Sequence, residues 1–245
     1  MTDGEVGVLV RDAASRHGIE LSEKQVGRFS SYVKLIQQWQ RTVVRLVGND
    51  DATVLVTDHV ADAFRTYRCV DAWKGKRAVD IGSGAGFPGV CLKIVEPELH
   101  LTLLDARTKK VAFLTRVAAD LGLDGVEVVR GRAEELAHEG EFREEFDIAT
   151  MRAVARLARA MEIGLAFVGV GGVLVVRRGG TSGEDIGVAE RCARRYGGGQ
   201  VVVHRDAILD RRSRGSCIVV AKTESMDRRY PRGPAGDDGE SLVAE

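Results

Sequence analysis

Two carboxylates, and the glycines that follow the first of them, are the residues of this sequence best placed to do chemistry. Asp80 lies near the end of the apolar run Arg77-Ala78-Val79-Asp80-Ile81, after which glycine recurs at alternate positions, Gly82, Gly84 and Gly86, ahead of Phe87-Pro88-Gly89. A β-branched run, a glycine turn and an apolar stretch over 90–95 read as strand, tight turn and helix. Glycine at such a turn admits positive φ and lets a ligand lie directly against main-chain N–H groups. A second apolar run over 101–104 ends in Asp105. An acid at that strand end is placed to accept both hydroxyls of a ribose. A nucleoside-containing cofactor is therefore expected.

Residues 84–89 satisfy G-x-G-x-x-G, which alone is a weak dinucleotide signal. Three features point away from NAD. The glycines begin at Gly82, directly after Asp80-Ile81. Asp80 would repel a pyrophosphate and favour a sulfonium or an amine. Pro88 removes an N–H from the helix start that would otherwise hold phosphate. S-adenosylmethionine meets all three conditions, with a ribose for Asp105, no phosphate, and cationic groups for Asp80. Past the third strand, the backbone of Ala133 and the side chain of Glu134 are candidates for the adenine edge; favourable charge in a first helical turn explains Glu134 equally well. Arg152 follows the fourth strand at the mouth of the site. His59 and Asp62, three apart on a helix, share a face either with the cofactor or with solvent. No catalytic base stands out; Asp80, Arg152 and His59 are the candidates for a catalytic part.

Helical periodicity without strand alternation runs through residues 1–70, with Ser22 and Gln25 as a capping box and Val26, Phe29, Val33, Ile36 and Trp39 as a buried stripe. A third helix is expected over 51–67. Strands at 77–81, 101–105, 126–129, 146–151, 172–176, 200–203 and 217–221 alternate with helices, the pattern of an α/β doubly wound, Rossmann-like sheet. The expected organisation is a helical extension (1–70), a main domain (71–224), and a flexible tail (225–245), first basic and then acidic. Lys and Arg number 36, as do Asp and Glu, so attraction to a polyanion must come from a local patch. Arg178, Arg212, Arg214, Arg229 and Arg232 are the candidates for it. The four cysteines are dispersed without a C-x-x-C pair, so neither zinc nor a disulfide framework is indicated. With no leader or spanning segment legible, a cytoplasmic protein is expected.

The run from Val79 to Gly89 resembles the V-D-[IV]-G-[ST]-G-[AP]-G-[FL]-P-G motif of the RsmG (GidB) family, ribosomal RNA small subunit methyltransferase G. Leu103-Leu104-Asp105, Lys110-Val111-Ala112-Phe113-Leu114, Arg132-Ala133-Glu134-Glu135, Arg152-Ala153-Val154-Ala155 and Arg229-Tyr230-Pro231-Arg232 are also similar to family segments. The resemblance implies a seven-stranded S-adenosylmethionine-dependent methyltransferase sheet with an N-terminal helical extension. It also implies transfer to N7 of a guanine in 16S rRNA, with the rRNA or the small ribosomal subunit as partner; apart from the resemblance, no metal and a monomer are expected. By position it assigns cofactor contacts to Gly82, Phe87 (through its backbone), Ala133, Glu134 and Arg152, beside Gly84, Gly86 and Asp105 from the residues themselves. The sequence departs from the family at Val44-Arg45-Leu46-Val47, where an Asn-Leu-Thr turn is usual, at Asp58, where Arg precedes the His, and at Arg178-Gly179, where Lys-Gly is usual. All three lie on the expected acceptor side. A paralogue acting on another RNA, or on a small molecule, is the alternative.

Overall fold

The computed structural model describes residues 1–152, 156–206 and 215–233. Its seven strands form one sheet in the order β3-β2-β1-β4-β5-β7-β6: β1 (Arg77–Ile81), β2 (His100–Asp105), β3 (Val126–Arg130), β4 (Phe146–Arg152), β5 (Val168–Arg178), β6 (Gly198–Arg205) and β7 (Ser216–Lys222). Each expected strand is present, and β5 starts four residues earlier than its valine run suggests. Contacts group the chain into two units, one of residues 1–75 and 83–130, the other of residues 76–82 and from 131 onward.

In the first unit, β2 and β3 pair in parallel, with Asp105 opposite Arg130. Helices α1 (Asp3–Ser15), α2 (Glu23–Thr42), α5 (Gly89–Val95) and α6 (Thr108–Asp120) belong to the same unit. The capping box of α2 forms as expected, the Ser22 hydroxyl accepting from the Gln25 N–H. Gln25 then reaches further, its amide donating at 2.9 Å to the carbonyls of both Ile94 and Val95. Arg28 does the same for α6, donating to the carbonyls of Leu121 (2.9 Å) and Gly122 (2.6 Å). These carbonyls belong to helix C-termini, which lack intrahelical partners, so the N-terminal helices supply caps to the helices beside the sheet. Trp39 meets Phe113 of α6 edge to face at 5.5 Å, which is the packing role expected for it. The third expected helix is not uniform. It comprises α3 (Ala52–Val54), a π-helical stretch over Leu55–Val60, and α4 (Ala61–Tyr67).

In the second unit, β1 pairs in parallel with β4, Asp80 opposite Thr150, and β4 in parallel with β5. The last strand, β7, runs antiparallel between β5 and β6. Helices α7 (Ala133–Leu136), α8 (Leu157–Phe167) and α9 (Gly183–Arg195) complete the unit. Its core holds Lys222, 1% exposed, whose ammonium donates to the carbonyls of Leu165 and Tyr196 at 3.0 Å and lies 3.1 Å from Glu144. Satisfying all of its donors makes burial of this cation tolerable.

Residues 225–233, expected to begin a flexible tail, are packed against this unit. Arg143 donates to the carbonyls of Met226 and Tyr230 at 2.8 Å, and Arg159 to that of Arg232 at 2.8 Å. Met226 is buried, Tyr230 meets Tyr196 edge to face at 5.0 Å, and Arg232 binds the buried Glu162. Glu162 and Arg159, the partners of Arg232, lie some seventy residues earlier in the chain.

Candidate functional site

Within the first unit the glycine turn is fastened to the end of β2. Ser83 N–H donates to Leu104 O at 2.9 Å, and Gly84 N–H to Asp105 Oδ2 at 2.9 Å. The other carboxylate oxygen accepts from the Arg107 N–H at 2.9 Å. Asp105 is 7% exposed, and it therefore organises the turn. Each oxygen keeps a second lone pair, so the carboxylate retains capacity for ribose hydroxyls. Gly86 N–H closes the turn onto Ser83 O at 2.7 Å. The N–H groups of Gly84 and Gly86 are thus bonded inside the chain and are not aimed outward as a phosphate cradle. That arrangement suits a nucleoside without a pyrophosphate.

Gly82, Gly84 and Gly86 take φ of 73°, 60° and 94°, the left-handed region that side chains disfavour. At Gly86 space is also lacking, because a Cβ there would lie 2.6 Å from Val90 Cγ2 and 2.8 Å from the Tyr32 hydroxyl oxygen. Tyr32, fully buried on α2, donates its hydroxyl to Ala85 O at 2.5 Å. Its ring lies 5.3 Å from that of Phe87, and His59 stacks on Phe87 at 5.0 Å and 27°. Phe87 is 7% exposed, so its side chain anchors the turn. His59 reaches Phe87 from the π-helical stretch, a local widening of the helix that recurs at functional sites. Asp62, on α4, is buried and 3.8 Å from Arg65.

Tyr32 was absent from the sequence-derived site, although its spacing from Phe29 and Ile36 puts it on the same α2 stripe. Tyr32→Phe deletes one buried hydrogen bond that fixes the turn, worth about 1 kcal/mol. We expect about fivefold weaker S-adenosylmethionine binding by titration calorimetry; unchanged affinity would show that Tyr32 does not order the turn.

In the second unit, Asp80 is 1% exposed and accepts from the Thr150 hydroxyl at 2.8 Å. Thr150, its register partner on β4, was not identified from sequence, since a cross-strand pairing leaves no local signal. Arg152 ends β4, half-buried, opposite Arg177 of β5. Ala133 and Glu134 form the half-buried first turn of α7. Arg177, given no role by sequence, is buried and bound through two hydrogen bonds to Asp206 at 2.6 and 3.1 Å.

The RNA-contact candidates described in this unit each lie near a carboxylate. Arg178 lies 3.8 Å from Asp185, Arg229 lies 3.4 Å from Asp227 and over the Tyr230 ring, and Arg232 binds Glu162. Arg212 and Arg214 fall outside the described residues, as do residues 153–155 of the segment after Arg152 and the acidic stretch beyond 233. Cys91, Cys192 and Cys217 are buried, and desolvation pushes the Cys192 thiol up to about 11. Among the described residues no three His, Cys, Asp or Glu side chains cluster as metal ligands, and no helix is long and apolar enough to cross a membrane.

Comparison with known proteins agrees with this geometry. A putative S-adenosyl-L-methionine-dependent methyltransferase from Methanococcus maripaludis shares the fold, with a TM-score of 0.56 at 14% identity over 79% of this chain and 93% of that one. The ribosomal RNA small subunit methyltransferase G of Clostridium botulinum (strain Loch Maree) is 31% identical over 226 residues, 92% of this chain and 94% of its own. Its counterpart in Roseiflexus castenholzii is 36% identical over 226 residues, 91% and 94% of the two chains. The family described as rRNA small subunit methyltransferase G matches residues 25–206. With a glycine turn fastened to Asp105, a buried Asp80 at the preceding strand end and a match over most of its length, the chain belongs to the rRNA small subunit methyltransferase G family, and with it to the S-adenosylmethionine-dependent methyltransferases.

Proposed function

We propose that this protein methylates N7 of one guanine in 16S rRNA, acting as a cytoplasmic monomer on the small ribosomal subunit or its RNA. The observation that carries the reading is the inward bonding of Gly84 and Gly86. Their N–H groups serve Asp105 and Ser83, so neither is left to hold a phosphate, while the carboxylate keeps capacity for a ribose. Bound S-adenosylmethionine supplies a methyl group already activated on a sulfonium. The residues that would hold it are Gly82, Gly84, Gly86, the Phe87 backbone, Asp105, Ala133, Glu134 and Arg152, with Asp80 as the negative charge that favours its cationic end.

The chain's own task is then positioning. Guanine N7 carries a free lone pair at neutral pH, so no side chain has to remove a proton. The hydrogen-bonded turn and the Tyr32–Phe87–His59 cluster fix the donor side, and alignment of this kind supplies several kcal/mol or more. Asp80, buried and bonded to Thr150, also lowers the energy of positive charge nearby. Arg152 ends β4, where it serves either the donor or an RNA phosphate.

Incubation with labelled S-adenosylmethionine and small subunits from a strain lacking this gene tests the reading. Label recovered by nucleoside digestion as 7-methylguanosine at one position is the expected result. Donor binding with unlabelled rRNA would overturn the acceptor assignment.

A further inference from the structure

Of the arginines first singled out for RNA, Arg178, Arg229 and Arg232 lie beside carboxylates, whereas a different basic group, in the first unit, does not. Lys109, in the first turn of α6, donates its ammonium to the Val43 carbonyl at 3.4 Å. That contact brings the loop after α2, with exposed Arg45, to the start of α6, where Arg107 and Lys109 are exposed and Lys110 is half-buried. Arg130, opposite Asp105 across the β2–β3 pair, reaches the same turn through Thr108 Oγ1 at 3.2 Å.

None of Arg45, Arg107, Lys109, Lys110 and Arg130 has a carboxylate partner among the described residues. Asp50, at the end of the same loop, lies 3.7 Å from Arg41 instead. The first turn of α6 holds no acidic side chain, although the helix dipole favours one and disfavours cations there. That charge order costs the fold a little and suits a bound anion. The group also follows Asp105 directly in sequence, at the ribose end of the donor site.

We propose that Arg45, Arg107, Lys109, Lys110 and Arg130 form the surface that takes the phosphate backbone of the RNA acceptor. The inference rests on the rRNA methyltransferase reading above and specifies where the acceptor lies. It also gives Arg45, one of the departures from the family pattern, a phosphate to contact.

The test compares R45Q/K109Q/K110Q with a control of equal charge change, R191Q/R194Q/R205Q. None of these six residues belongs to the donor site. For the patch variant we expect KM for small subunits to rise about tenfold, with kcat and donor Kd within about twofold, and the salt dependence of RNA binding to flatten by about 2–3 in log–log slope, since each phosphate contributes roughly 0.7–0.9. The control is expected to stay within about twofold on all counts. Equal losses in both variants, or none in the patch variant, would overturn the proposal. Fluorescence anisotropy with a labelled 16S rRNA fragment reads the patch without turnover. Should the wild type bind the fragment yet methylate nothing, the function fails and the anisotropy still judges the patch. Binding by the wild type to neither the fragment nor small subunits would overturn both.

Discussion

Gly86→Ala weakens donor binding about thirtyfold while leaving the chain folded. The backbone there has φ of 94°, outside the region that alanine tolerates, and strain of this kind costs about 1–3 kcal/mol. Retreat of the neighbours does not relieve the added methyl. Val90 is fully buried in α5, and Tyr32 is fully buried and bonded to Ala85. The turn itself must therefore move, which breaks the Gly86–Ser83 bond and strains the Gly84–Asp105 bond next to it. Losing about 2 kcal/mol of turn pre-organisation weakens the donor about thirtyfold, at 1.4 kcal/mol per tenfold. A strain of about 2 kcal/mol lowers Tm by about 4–8 °C in a chain of this size. Calorimetric titration with S-adenosylmethionine and a circular-dichroism melt measure the two effects. Donor affinity within threefold of wild type would show that the turn does not bind the donor.

The sequence revealed the donor side because its signals are local. Asp80, the alternating glycines and Asp105 lie at strand ends that buried apolar runs mark plainly, and the Ser22–Gln25 box fixes the start of α2. It did not reveal where the N–H group of Gly84 points, since this depends on Asp105, twenty-one residues on. The π-helical stretch that brings His59 to Phe87 has no counterpart in a periodicity that reads residues 51–67 as one helix. The arginines show the limit most clearly. Exposed basic residues near a site suggest RNA, yet whether Arg232 or Lys109 is available depends on carboxylates distant in sequence. Glu162 lies in the apolar helix α8, seventy residues before Arg232, and no local pattern announces the pair.

That pair supports the second large effect, on stability. Glu162 is fully buried and accepts from the Arg232 N–H at 2.7 Å and from its guanidinium at 2.9 and 3.1 Å, with Arg159 at 3.3 Å. Glu162→Ala leaves the largely buried Arg159 without its carboxylate and releases the segment 225–233 from α8. Breaking a buried pair costs about 3–5 kcal/mol, but Arg232 keeps 38% side-chain exposure, so about 2–4 kcal/mol is expected here, read as a lower midpoint in urea. Limited proteolysis should then cut the segment after Ser225, which wild type resists. The same contact predicts acid sensitivity. Burial alone would raise the Glu162 carboxyl, but the hydrogen bonds and charge of Arg232, with Arg159 behind them, outweigh it and hold the group below the usual glutamate range. A folded-state value below the unfolded one means that the stabilisation is complete above the unfolded value, near 4.5. It is lost as pH falls through the folded one. Between pH 6 and pH 3 the wild type should therefore lose more stability than Glu162→Gln, whose amide keeps the shape and does not titrate. Parallel pH profiles for the two proteins would show that Glu162 is not the ionised anchor of the C-terminal segment.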